Sequence, residues 1–393
     1  MKFRKLTKRF LIILYIGVVV AFLTACLAPF LNPSDWWFFG FLGLLFPYLL
    51  IVLVIFSVFW FFVKSKLSWI GIASLIIGWK GILAVFAFHI GSFFHKEKKE
   101  TGSLRVMTWN VRSFMSKDDK LKKTGLTLHQ LSMMDLIQRY NPDILTIQEF
   151  FTADSGKYFN NIWHFTRHMD YPYYYFSKDN SKFKNVYGGT IIFSRFPIVD
   201  TGKFSLERNK IDNTESLIFA DVVHNKDTLR IYTAHMQSFG FMKNDYKDIS
   251  KIRNDPDERL DASKNIFRKM KSAFERRGIQ ADFMRKKLEE SRYPEIFCGD
   301  LNDVPNSYAY FSVKGDKKDA FISRSFGFGQ TFYSFSSGFM RDLSTLRIDY
   351  IFADPRFNII QCSRIPDILS DHFPLVADVT LANLHPAAKL TNH

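Results

Sequence analysis

Glu295-Ile296-Phe297-Cys298-Gly299-Asp300-Leu301-Asn302-Asp303 is the stretch on which the fold turns. Four residues of strand character run into a glycine, and the chain then offers a carboxylate and a carboxamide two positions apart. A buried strand ending in Gly-Asp-x-Asn sets both polar groups on one side of the turn, at the rim of its sheet. Alone, these residues describe an ordinary strand and an Asx turn. Four further stretches change that balance: Thr108-Trp109-Asn110-Val111-Arg112, Gln148-Glu149, Arg347-Ile348-Asp349-Tyr350-Ile351-Phe352 and Ser370-Asp371-His372-Phe373-Pro374. Each is a strand end carrying Asn, Glu, Asp or His.

Outward from these motifs the chain divides in two. Its 393 residues suffice for one large domain and an accessory region. Residues 1–100 hold 11 Lys/Arg against 3 Asp/Glu and the remainder 42 against 35, so the net +15 splits into +8 and +7. More than half of the basic surplus lies in the most apolar quarter, where Lys and Arg report membrane orientation rather than nucleic acid. Cys26, Cys298 and Cys362 show neither a disulfide framework nor zinc spacing.

Residues 1–100 form an expected membrane region with three spans, about 10–31, 37–63 and 67–94. The first two have no charged residue and the length that a hydrocarbon core requires. The third is interrupted by Lys80 and His89, and Lys80 is expected to face neighbouring helices or water. Lys2, Arg4, Lys5, Lys8 and Arg9 precede the first span and Lys64 and Lys66 follow the second, while Asn32 to Asp35 carries no basic residue. The N-terminus is then cytoplasmic and the following domain extracytoplasmic, on the periplasmic side. Lys96, Lys98 and Lys99 oppose that orientation, offset by Glu97 and Glu100. Leu23-Thr24-Ala25-Cys26 resembles a lipobox, though the apolar spans that follow favour a retained helix.

Residues 101–384 read as a catalytic domain and 385–393 as a tail. Leu104 to Thr108 is a strand, Leu128 to Tyr140 an amphipathic helix stopped by Asn141-Pro142, and Ile144 to Gln148 a buried strand delivering Glu149. Tyr173 to Phe176, Gly189 to Phe193, Ser216 to Val223 and Leu229 to Thr233 read as strands, as do Phe357 to Ile365 and Pro374 to Leu381. His235 lies immediately past a strand end. Residues 241 to 294 read as helical and charged: a helix at Gln280 to Leu288 and an added flap at Phe241 to Arg277, whose plainest reading is a solvated, salt-bridged surface. The Gly- and aromatic-rich stretch Phe326 to Tyr333 is expected as a loop whose rings stack a base, touch lipid or fill core.

In this order the five motifs resemble the endonuclease/exonuclease/phosphatase superfamily, over roughly residues 103 to 382. The resemblance implies an α/β fold, a four-layer α/β/β/α sandwich of the DNase I type, here preceded by a transmembrane helical region. It also implies a metal-dependent hydrolase of phosphoester bonds using Mg²⁺ or Mn²⁺, which suit hard oxygen ligands. Glu149 would be the first ligand, with Asn110 and Asp371 as neighbours. Asp300 would orient or deprotonate the attacking water and Asn302 donate to a phosphate oxygen, while His235 and His372, the latter held by Asp349, stabilise the transition state. Two positions depart from the pattern: Arg112 stands where apurinic endonucleases carry an acidic residue, and Gly189 about where DNase I carries a Glu supporting its first catalytic histidine.

The expected activity is therefore phosphodiesterase or phosphatase action on a phosphoester: a lipid head group, a nucleotide or a nucleic acid. Membrane lipid is the partner of the N-terminal helices, and no feature points to a protein partner. A membrane-bound nuclease acting on DNA or RNA is the alternative within the class, and a catalytically silent binding or scaffold protein the alternative outside it.

Overall fold

A computed structural model describes residues 2–89, 98–114, 126–154, 160–183, 185–206, 215–241, 245, 248, 252, 258–333 and 345–382. The expected tail, the end of the third apolar run and most of the segment 242–257 lie outside the described residues. The chain opens with α1 (Lys2–Ala25) and α2 (Phe38–Val63), both long and apolar enough to cross a membrane, which makes this a membrane-associated region.

The third apolar run is not one helix to residue 94. It forms α3 (Ser65–Ile77) and α4 (Trp79–Val85), bent by 67° at Gly78, and then extends into β1 (Ala87–Phe88). Together the bent pair has the length and composition of a broken span or a re-entrant loop. The bend brings α4 onto the following domain, where the Ala84 carbonyl accepts from Arg347 Nη2 at 2.8 Å. Lys80 is exposed there, with its ammonium over the Phe30 and Phe311 rings at 4.8 and 4.9 Å.

The following strands, in chain order, are β2 (Leu104–Asn110), β3 (Ile144–Ala153), β4 (Tyr173–Phe176), β5 (Asn180–Phe183), β6 (Val186–Ser194), β7 (Ile198–Ser205), β8 (Ser216–His224) and β9 (Asp227–Ala234). After them come β10 (Glu295–Asp300), β11 (Lys318–Asp319), β12 (Phe326–Gly327), β13 (Asp349–Ala353), β14 (Phe357–Arg364) and β15 (Leu375–Leu381). One sheet has the order β14-β15-β2-β3-β6-β4, with β5 also on β6, and the other β11-β13-β10-β9-β8-β7. The short β12 pairs with β1, so the expected loop at Phe326 begins as a strand held by the membrane region.

Strand alternation builds the layers. In β10, Ile296 and Cys298 enter the core between the sheets, while Phe297 faces outward. In β2, Leu104 and Val106 face that same core, and Met107 and Trp109 face the helix layer of α5 (Leu128–Tyr140) and α6 (Asn161–His168). The opposite helix layer is α7 (Arg259–Glu289) and α8 (Tyr308–Lys314), followed by the short α9 (Ala320–Arg324). This is the expected four-layer sandwich. Where the sequence suggested a flap and a separate helix, α7 is one continuous helix through Gly278, whose missing side chain leaves room for Asn32, the Pro33 ring and the Ser34 backbone.

The domain is clamped to the membrane helices. Asn306 Nδ2 donates to the Ala25 carbonyl at 3.0 Å, and Asn32 Nδ2 to Asp282 Oδ2 at 2.7 Å. A Cβ at Gly43 would lie 2.5 Å from the Asn306 carbonyl, so α2 and the turn after β10 touch backbone to side-chain-free backbone. Phe41 stacks on Phe267 at 5.0 Å and meets Phe274 edge-on at 5.0 Å.

Candidate active site

The expected residues gather at the rim of the two sheets: Asn110 and Asp300 end β2 and β10, Asp349 opens β13, His235 follows β9, Asn302, Asp371 and His372 lie in turns, and Glu149 sits within β3, which runs past the expected end at Gln148. Parallel β2 and β3 place Asn110 opposite Gln148, and the ladder shifts register between Ile147 and Phe150, at Glu149. Glu149 has φ +51°, a bulge conformation that turns its half-exposed carboxylate to the rim. Antiparallel β10 and β13 set Asp300 against Asp349, and a bridge joins His235 to Asp300. The segment after β14 is fastened by Ser370 Oγ donating to the Asn110 carbonyl at 2.9 Å and Trp109 Nε1 to the His372 carbonyl at 3.0 Å.

These ends converge. Asn110 Nδ2 donates to Glu149 Oε1 and to Asp300 Oδ2, both at 3.1 Å. His235 Nε2 lies 3.6 Å from Asp300 Oδ2 and 3.8 Å from Glu149 Oε1. His372 Nδ1 is 2.9 Å from Asp349 Oδ2 and 3.8 Å from Asp300 Oδ2. Asp300 accepts from the Asn302 backbone N–H at 2.7 Å. Asn302 itself, at φ +50°, spends its carboxamide on the Met236 carbonyl at 2.9 Å and Asp300 at 3.4 Å. Asp371 stands at the rim, 3.4 Å from Arg112 Nε. Arg112 thus replaces an acidic side chain with a cation that holds one.

The electrostatics follow from burial and these neighbours. Burial and then Asp349 disfavour the Asp300 carboxylate, which the nearby histidines only partly relieve, so its pKa is pushed up to about 6. Burial would discharge His372, but Asp349 and Asp300 outweigh it and raise its pKa to about 10. His235 is likewise raised despite its burial, by Asp300, Glu149 and Glu215. The last of these is a residue the sequence did not single out. It lines the same hollow as Gly189 and His235, just before β8, and accepts from Gln280 Nε2 at 2.7 Å. A Cβ at Gly189 would press on Ser177 Oγ and the Asp179 backbone.

Asp300, Asp349 and His372 have ligand atoms within 4.8 Å of one another, close enough for a cation. However, His372 Nδ1 and Asp349 Oδ2 are already hydrogen-bonded, which suits orientation of the imidazole better than metal ligation. The rim carboxylate of Glu149 is the hard oxygen donor a divalent ion takes, whereas Asn110 turns Nδ2 toward Glu149 and Asp300 and its Oδ1 accepts from the Arg112 N–H at 3.0 Å. Residues absent from the motifs are Arg277, buried and ion-paired at 3.1 Å with Asp303 of the Gly-Asp-x-Asn stretch, and Phe239, stacked on Phe241 at 5.5 Å.

A family model described as the endonuclease/exonuclease/phosphatase family matches residues 107–372, and a domain of unknown function (DUF8431) matches residues 8–85. No curated protein matches the chain. Among solved structures, an endonuclease/exonuclease/phosphatase from Beutenbergia cavernae is 18% identical, covers 72% of each chain and has a TM-score of 0.51. A family protein from Bacteroides thetaiotaomicron is 20% identical over 70% of this chain and 97% of its own, with a TM-score of 0.49. A mannosyl-6-phosphatase from Bacteroides thetaiotaomicron is 19% identical over 71% of this chain and 100% of its own, with a TM-score of 0.48. At such identities the likeness bears on the fold alone.

Proposed function

Because this chain belongs to the endonuclease/exonuclease/phosphatase family, whose members hydrolyse phosphoesters, we propose that it is a divalent-metal-dependent phosphoester hydrolase anchored in a membrane by several N-terminal helices. The observation that carries the reading is the single hydrogen-bonded cluster of Asn110, Glu149, Asp300 and Asn302, with His235 and the Asp349–His372 pair against it.

Glu149, with Asp371 from the rim, would hold Mg²⁺ or Mn²⁺, and Asn110, expected as a further ligand, orients the Glu149 and Asp300 carboxylates through Nδ2. When bound, such an ion neutralises phosphate charge and polarises the ester. Asp300 takes the proton of the attacking water, and its raised pKa suits a base working near neutral pH. Asn302 acts as a positioning residue for Asp300, since its carboxamide is already engaged. His372 donates its Nδ1–H to Asp349 in a hydrogen bond, which leaves Nε2–H to donate to the anion, and His235 supplies a second positive charge beside it.

Hydrolysis of bis(p-nitrophenyl) phosphate by the detergent-purified full chain, dependent on Mg²⁺ or Mn²⁺ and abolished by EDTA, tests the reading. No turnover of any phosphoester with either ion would overturn it. The basic residues before α1 and around Lys64 further support a cytoplasmic N-terminus and an extracytoplasmic catalytic domain. Protease accessibility in spheroplasts tests that orientation, and a protected domain would refute it.

A further inference from the structure

The cavity over the catalytic cluster, about 640 Å³, is walled by Leu44, Phe239, Phe241, Phe274, Phe332 and Ile348. Leu44 belongs to α2, a helix long and apolar enough to cross a membrane, so one wall of the site is membrane helix. Residues three or four apart share a helix face. The face of Leu44 continues through Tyr48, Ile51, Ile55, Phe59 and Phe62, which are 41%, 41%, 62%, 40% and 81% exposed. From Leu44 to Phe62 this stripe runs roughly 27 Å, comparable to a hydrocarbon core. An apolar stripe therefore runs along the exposed face of α2 to the residue that walls the catalytic cavity.

On the other side of Glu149 and His235 a second hollow of about 270 Å³ begins, lined by Asp179, Asn180, Thr190, Glu215 and Ser216. The two hollows share Glu149 and His235, so the reacting position lies between an apolar arm and a polar one. The aromatic arm is stiff: the Arg277 guanidinium sits 4.8 Å from both the Phe239 and Phe274 rings, and Phe274 packs on Phe41 of α2.

We infer that the substrate is a membrane lipid bearing a phosphoester head group, drawn from the bilayer along α2. Its acyl chain lies on the Leu44 stripe and the aromatic arm, its phosphate beside His235, His372 and Asp300, and its polar substituent in the hollow of Asp179 and Glu215. The inference rests on the hydrolase reading. Water oxygen bonds to phosphorus while its proton passes to Asp300. The ester P–O bond breaks, and the departing oxygen takes a proton from an imidazolium.

The test uses the full chain in phosphatidylcholine vesicles carrying dioleoyl phosphatidylglycerol or phosphatidic acid, against glycerol phosphate and bis(p-nitrophenyl) phosphate. The expected result is a kcat/KM for a dioleoyl lipid at least about tenfold above that for the chainless esters, since each buried methylene adds several-fold in affinity. Leu44→Asn should shrink that ratio about tenfold while Leu44→Ile keeps it, a contrast that separates lost apolar contact from misfolding. A phospholipid with a photoactivatable acyl chain should label the segment around Leu44 and Tyr48. Turnover of bis(p-nitrophenyl) phosphate without turnover of vesicle lipid, or equal rates regardless of chain length, overturns the lipid assignment and leaves the hydrolase reading standing. Failure on every ester overturns both.

Discussion

Asp349 offers His372 one carboxylate oxygen, and its other oxygen, Oδ1, is buried without a hydrogen-bond partner among the described residues. An unmet buried acceptor is tolerated because the neighbouring imidazolium needs the charge more than the oxygen needs a donor. Asp300→Asn should lower kcat by roughly 10²–10⁴ with little change in KM, as measured by steady-state kinetics on a soluble diester. The pH profile of kcat/KM should rise through about 6, as Asp300 loses its proton, and fall near 10, as His372 loses its own. Asp349→Asn removes the carboxylate that raises His372, so the alkaline limb should move to lower pH by about a unit or more. An unmoved limb would separate Asp349 from that ionisation. The residues that resemblance named were legible because each lies in a short local motif at or near a strand end or bulge. Glu215, Arg277 and Phe239 were not, because what brings them to the site is sheet pairing and helix packing between distant segments.

Buried ion pairs fasten the elements around the site. Arg347, fully buried, gives Nη1 to Asp319 at 2.6 Å and Nη2 to Ala84, so a single guanidinium joins β11, the start of β13 and α4. Arg105 grips both carboxylate oxygens of Asp378 across β2 and β15, at 2.6 and 2.8 Å. Arg347→Met should destabilise the chain by about 3–5 kcal/mol by leaving Asp319 charged and unpaired, read as a lower urea midpoint for the detergent-solubilised protein. Strands with apolar alternation, such as β8 and β9, were readable almost to their ends. The edge strand β7 was not: Ile198–Ser205 is mostly polar and includes Gly202, so its pattern is weak although its ladder to β8 is long. The break between α3 and α4 was hidden for the opposite reason, since apolar composition continues across Gly78 and only the domain that α4 packs against marks the bend.

At the scale of the whole molecule, the sandwich and the membrane region share a packed boundary rather than a linker alone. Gly43→Val should force α2 away from the Asn306 backbone, and the expected outcome is faster hydrogen exchange in both the Trp37–Leu44 and Asp303–Tyr308 segments. Protection equal to wild type would mean the two halves do not bear on each other there. Composition made the two halves legible separately, but not their docking, because Asn32, Gly43 and Asn306 carry no pattern that a neighbour in sequence could reveal. That docking has a kinetic corollary. With Asn306 gripping the end of α1 and abutting α2, the reaction centre keeps a constant elevation above the bilayer and cannot swing out to sample bulk solvent. For the lipid substrate inferred above, encounters would then occur in a plane, so diluting the reactive lipid with inert lipid at fixed total volume should slow turnover, with mole fraction taking the place of molarity in the rate law.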